Sequence, residues 1–106
     1  MMSETDLVRD IMDYLRLRGI WCIRVHSGRS YGYGMHLAEK GTPDLMGCLP
    51  DGRCLVIECK LPDWKPRNAQ DRERYQTQCE HCARVTKAGG VGLVARSVED
   101  VKERVG

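Results

Sequence analysis

Apolar residues Leu7, Ile11, Tyr14 and Leu15, with Leu17 beyond them, recur at intervals of three and four along the first part of the chain. That spacing places them on one face of a helix. Ser3 followed by Asp6 matches a capping box with Asp in place of Glu, and Gly19 suits the residue that ends the helix. The pattern then changes. IWCIRVH, residues 20–26, is rich in β-formers and predicts a strand. SGRSYGYGMHLAEKG, residues 27–41, holds four glycines and two tyrosines and predicts an extended loop, long enough to suggest a functional role. Residues 44–49 and 53–60 read as two apolar strands around Pro50-Asp51-Gly52. LPDWKPR, residues 61–67, is a loop with two prolines. A helix follows from about 69 to 88, with Ala69, Tyr75, Cys79, Cys82, Ala83 and Val85 expected inward and Gly89-Gly90 as its stop. VGLVAR, residues 91–96, reads as a buried strand, and Ser97 with Asp100 caps a last helix that turns Val98, Val101 and Val105 inward. The order is αβββαβα, without repeat or linker, which predicts one α/β domain over residues 1–106.

Composition narrows this little. At 106 residues, 42% hydrophobic and 30% charged, the chain is the size and polarity of one globular domain. It contains no Phe, so aliphatic residues, Met, Tyr and Trp must fill the core. The formal charge of +2 is too small to point to an acidic partner, so any basic surface must be argued locally. No apolar run approaches the roughly 18 residues of a membrane helix, and MMSETDLVRD lacks the apolar centre of a signal peptide. These features predict a cytoplasmic protein without membrane contact, with its six cysteines reduced.

The hairpin carries the candidate chemistry. A three-residue loop of Pro50, Asp51 and Gly52 pairs Leu49 with Arg53, because Gly readily takes the left-handed position that closes such a loop. Asp44 and Glu58 each lie seven residues from Asp51, so this register sets them directly opposite each other; a loop one residue shorter would make the pair diagonal, still within reach of one shared ion. Directly opposed side chains share a face, with Cβ atoms about 4.5–5.5 Å apart. Lys60, two residues on, projects from that face too, while Leu55, Ile57 and Cys59 turn to the other. Two facing carboxylates repel, and Mg²⁺ or Mn²⁺ would reverse that repulsion through hard oxygen ligation. A lysine beside them can orient water or stabilise developing negative charge. The plain alternative is a salt-bridge cluster on an exposed sheet face.

Pro43-Asp44 followed by Glu58-Cys59-Lys60 resembles the PD-(D/E)xK nuclease signature. Glu4 in the first helix, GTPDLMG, IECK, a Gln-containing helix and GGVGLVARSVEDV together resemble the VRR-NUC family (virus-type replication-repair nucleases), found alone in phages and bacteria. The resemblance spans nearly the whole chain. It implies a restriction-endonuclease-like core, a mixed sheet flanked by helices. It also implies a metal-dependent DNA endonuclease acting in DNA repair. Its metal ligands would be Asp44, Glu58 and the Cys59 carbonyl, with Glu4 assisting, and Lys60 would be the catalytic lysine. Gln78, 11 residues before Gly89, takes the place of the family glutamine, with Gln76 as the competitor. These two lie about 200° apart on a helix, so only one can face the site. DRERYQTQ, residues 71–78, departs from the Ser-Pro-rich entry of that helix in the family. Standalone members are similar to dimeric Holliday-junction resolvases. This implies a homodimer, branched or four-way DNA as substrate, and the host cytoplasm as its location if the gene is a phage's. The alternatives are a non-catalytic DNA- or partner-binding module on the same fold and a restriction-type endonuclease.

For DNA contact, Arg24, Arg29, Tyr31 and Tyr33, with His26 and His36 near them, are the first candidates. Arginine binds phosphates, and tyrosine stacks on unpaired bases. Lys65 and Arg67 begin a second basic run, diluted by Asp63, Asp71 and Glu73. Cys79 and Cys82 form one CxxC pair, half of what a four-ligand structural zinc needs, and read more simply as core positions.

Overall fold

A computed structural model describes residues 1–25, 39 and 41–106. Among the described residues seven elements follow in the order expected: α1 (Glu4–Leu17), β1 (Trp21–Arg24), β2 (Leu45–Cys48), β3 (Cys54–Cys59), α2 (Ala69–Lys87), β4 (Val91–Ala95) and α3 (Val98–Val105). All three helices start in the same way. A side-chain oxygen of Ser3, Asn68 or Ser97 accepts the backbone N–H of the Asp three residues on, which satisfies one of the free donors of the first turn. In α1 the box is complete, since the Asp6 carboxylate also accepts the Ser3 N–H at 2.9 Å. Gly19 and Gly89 lie just beyond the ends of α1 and α2, as expected.

The strands form one mixed sheet in the order β1-β2-β3-β4. β1, β2 and β3 are antiparallel neighbours, and β4 joins β3 in parallel after the α2 crossover. The hairpin closes as its turn residues require. Leu49 N–H donates to the Arg53 carbonyl at 2.8 Å, and Gly52 N–H returns to the Leu49 carbonyl at 2.8 Å. Gly52 has φ of +93°, a conformation costly for residues with a Cβ. Leu45 therefore faces Ile57 and Gly47 faces Leu55, the register expected from the loop.

α1 and α3 pack together on one face of the sheet, and α2 lies on the other, against β3 and β4. The main core lies under α1 and α3, where Leu7, Ile11, Leu15, Leu55, Ile57 and Val101 are at most 1% exposed. Val8 joins this stripe, whereas Leu17 at the helix end is 86% exposed. Two residues correspond to about 200° of helix, so Leu15 and Leu17 cannot share a face. On α2 the buried residues are Gln78 and Cys82, with Tyr75 and Val85 half-buried. Ala69 and Ala83 are exposed, contrary to expectation. Ala69 lies on the far side of the helix from Gln78, and Ala83 is a further 100° round from Cys82.

α2 sits close to β4 because Gly92 leaves room for it. A Cβ at Gly92 would overlap the Cys82 carbonyl. Gly92→Ala should therefore force helix and strand apart and destabilise by about 1–3 kcal/mol. Thermal unfolding followed by circular dichroism should show the midpoint falling by at least several degrees; an unchanged midpoint contradicts the close approach.

Candidate active site

β3 alternates between core and site. Leu55, Ile57 and Cys59 are fully buried on the α1 side, so Val56, Glu58 and Lys60 turn to the α2 side. Glu58 is 1% exposed and Lys60 7%. Lys60 continues the strand pairing past β3, donating its N–H to the Ala95 carbonyl at 3.0 Å. Its ammonium nitrogen lies 3.3 Å from Glu58 Oε2.

Asp44 enters from the end of β2. Val25 N–H donates to its carbonyl at 2.8 Å, which extends the β1–β2 pairing by one step. Cys59 N–H donates to Asp44 Oδ2 at 2.9 Å and so holds the carboxylate beside β3. The approach to Asp44 is set by Gly41, with φ of +82° and so close to α2 that a Cβ would overlap the Thr77 side chain. Glu4, the first residue of α1, completes the group, its backbone fixed by the capping box beside it. Carboxylate oxygens of Glu4, Asp44 and Glu58 all lie within 4.8 Å of one another.

Burial pushes the Glu58 carboxyl up to about 8, with the Asp44 charge adding to the rise and the Lys60 ammonium only partly opposing it. Glu4 also moves up, through burial first and then Asp44, against Lys60 and Arg24. Glu58 divides its two oxygens. Oε2 meets Lys60, whereas Oε1 is buried without a hydrogen-bond partner. Three carboxylates with an unpartnered buried oxygen fit a hard divalent cation, which takes oxygen ligands and offsets their mutual repulsion.

Of the two competing glutamines, Gln78 is buried, one turn before Cys82 on the same face of α2, and its Oε1 has no partner. Gln76 is exposed and donates to Glu80 at 3.3 Å. The Cys59 thiol packs in the main core, where burial raises its pKa. Arg24, Lys65 and Arg67 are exposed, and Arg67 binds Asp71 at 3.0 Å. His26, Arg29, Tyr31, Tyr33 and His36 lie outside the described residues. Cys82 is buried and Cys79 half-buried, and all six cysteines are free.

Strand alternation did not point to the aromatic side of the site. Trp64 lies with its ring centre 4.3 Å from the Lys60 ammonium, and Tyr75 of α2 stands at 6.0 Å. A tryptophan four residues after the lysine was the signal available in the sequence.

Among solved structures, one described as a "VRR_NUC domain" superposes with a TM-score of 0.61 at 22% identity, over 94% of this chain and 90% of that one. This chain has the VRR_NUC fold. A scan of family models and a search of curated proteins find no match.

The raised Glu58 carboxyl makes stability depend on pH in the cation-free protein. Between the ordinary value of 4.5 and about 8, the folded chain holds a proton that the unfolded chain has released. Stability should therefore fall as pH rises through this window, by at most about 1.4 kcal/mol per pH unit from Glu58. Glu4 acts in the same direction. Urea unfolding in EDTA at pH 5 to 8 should show this slope in wild type and a shallower one in Glu58→Gln. Equal slopes would contradict the burial-driven shift.

Proposed function

We propose that residues 1–106 act as one DNA endonuclease domain that needs Mg²⁺ or Mn²⁺ and hydrolyses phosphodiester bonds in branched DNA. The observation that carries this reading is the convergence of Glu4, Asp44 and Glu58 within 4.8 Å, with Lys60 bonded to Glu58, on the VRR_NUC fold. Glu4, Asp44, Glu58 and the Cys59 carbonyl would hold the cation. When bound, the cation supplies Lewis acidity toward a phosphoryl oxygen and lowers the pKa of a ligated water.

The chain's own groups do the remaining work. Glu58 keeps Oε2 for Lys60, and its unpartnered Oε1 would be available to the cation. Lys60 donates N–H hydrogen bonds to an attacking water or to a non-bridging phosphate oxygen as negative charge builds there. The Cys59 N–H holds one Asp44 oxygen, and the carboxylate so oriented would help to hold the cation. Gln78, buried with a free carboxamide oxygen, orients the lysine or the water. Arg24, Lys65 and Arg67, together with Arg29, Tyr31 and Tyr33, bind phosphates and unpaired bases along the substrate. A homodimer would place two such sites about a two-fold axis, suited to paired cuts in a four-way junction. No helix among the described residues is long and apolar enough to cross a membrane. The reading places the enzyme with its DNA in the cytoplasm, the host's if a phage encodes it.

Four-way junction, flap and linear duplex, each incubated with Mg²⁺ or Mn²⁺, test this. Wild type should cut the junction or the flap, with the cleavage rate lowered by about 10²–10³-fold in Lys60→Ala and also lost in Asp44→Ala. A wild type inert on all three substrates, or a Lys60→Ala variant as fast as wild type, would sink the proposal.

A further inference from the structure

We infer that Trp64 is a positioning residue for Lys60: its indole face fixes the ammonium at the carboxylates, so that Glu58 need not hold the lysine alone. The inference rests on the nuclease reading for its kinetic consequence and on geometry for its physical part. A lysine head is a compact charge on a flexible four-carbon stem. Among the described residues, Glu58 is the acid that pairs with Lys60, and the same carboxylate is the one proposed to serve the cation. A second restraint that does not compete for carboxylate oxygens keeps the ammonium in place. The Trp64 ring centre at 4.3 Å from Nζ falls within the roughly 6 Å reach of a cation–π contact.

Trp64 is in turn held from two sides. Tyr75 packs on it with ring centres 5.0 Å apart and planes at 54°, within the favoured range of aromatic pairs. The loop that carries Trp64 is pinned by Arg96, which follows β4. Its Nη1 donates to the carbonyls of Leu61 at 2.8 Å, Trp64 at 3.2 Å and Pro62 at 3.4 Å. Arg96 is itself fixed, because its N–H donates to Asp100 at 2.8 Å in the first turn of α3. The neighbouring Ala95 carbonyl accepts the Lys60 N–H. One end of the β3–β4 pair thus sets both the backbone of the lysine and the loop that brings the indole over its head. A tryptophan serving only to fill space has no need of a charged head at its ring centre or of three carbonyls gathered on one guanidinium.

The test uses the full chain with Trp64→Leu, which keeps apolar bulk without a π face, and Trp64→Phe, which keeps a face. Amide spectra of each variant check folding. With ¹³C-labelled lysine, the Lys60 ε-methylene protons, assigned by their loss in Lys60→Ala, should be shifted upfield by the indole ring current in wild type. They should move to ordinary positions in Trp64→Leu and stay partly shifted in Trp64→Phe. On the DNA that wild type cleaves, kcat should fall about 10- to 30-fold in Trp64→Leu. KM should stay within about twofold, and Trp64→Phe should recover most of the rate. Arg96→Met, which leaves the indole but frees its loop, should weaken the upfield shift and the rate together. Unshifted Lys60 protons in wild type overturn the inference. So does Trp64→Leu cutting at the wild-type rate, or a loss confined to KM, and in both cases the nuclease reading stands. A wild type that cuts no DNA removes the nuclease reading instead, and the lysine spectra still decide whether Trp64 holds Lys60.

Discussion

Everything at the site depends on the register of the hairpin between β2 and β3. Three residues, Pro50, Asp51 and Gly52, close it, and Gly52 at positive φ lets Leu49 and Arg53 meet. A slip of one residue would exchange the two faces of a strand. Leu55 and Ile57 would then leave the core, and Glu58 and Lys60 would enter it without partners. The apolar face thus enforces the position of the charges: burial of Leu45, Leu55 and Ile57 under α1 is what holds Glu58 beside Asp44.

Such a cluster of acids opposes stability. A carboxyl 1% exposed beside a second carboxylate is driven toward its neutral form, and Lys60 offsets this only in part. The surroundings keep the group in place despite that penalty. The Cys59 N–H grips Asp44, the capping box sets Glu4, and the glycines at 41 and 92 let the backbone approach α2 closely enough to bury the lysine and Gln78. Natural proteins retain local conflicts of this kind at functional positions, supported by consistent packing elsewhere. The aromatic pair at Lys60 belongs to the same support, reached through Arg96 and its three carbonyl contacts.

Local signals were enough for the element order, because each helix starts on Ser or Asn with Asp at the third position and every turn but that between β4 and α3 is marked by Gly or Pro. They were enough, too, for the register that sets Leu45 opposite Ile57 and leads on to Asp44 and Glu58, since it follows from the length of the hairpin loop. Two kinds of feature were not legible. Which side of α2 turns inward depends on the contact of Cys82 with Gly92, ten residues further along the chain, so Ala69 and Ala83 were misplaced and Gln78 could not be separated from Gln76. Trp64 sits in a loop with no period to read, and its place over Lys60 is set by Arg96 on another strand end. The expected DNA contacts at Arg29, Tyr31 and Tyr33 fall on residues outside those described.

The central claim is that Glu4, Asp44 and Glu58 form one cation site. Paramagnetic broadening by trace Mn²⁺ in ¹⁵N-labelled protein tests it most directly. The account predicts selective loss of the amide signals of Glu4, Asp44, Glu58, Cys59 and Lys60, reversed by excess Mg²⁺ and absent in Asp44→Asn. Broadening that spreads over the exposed acids, or that persists in Asp44→Asn, would contradict it.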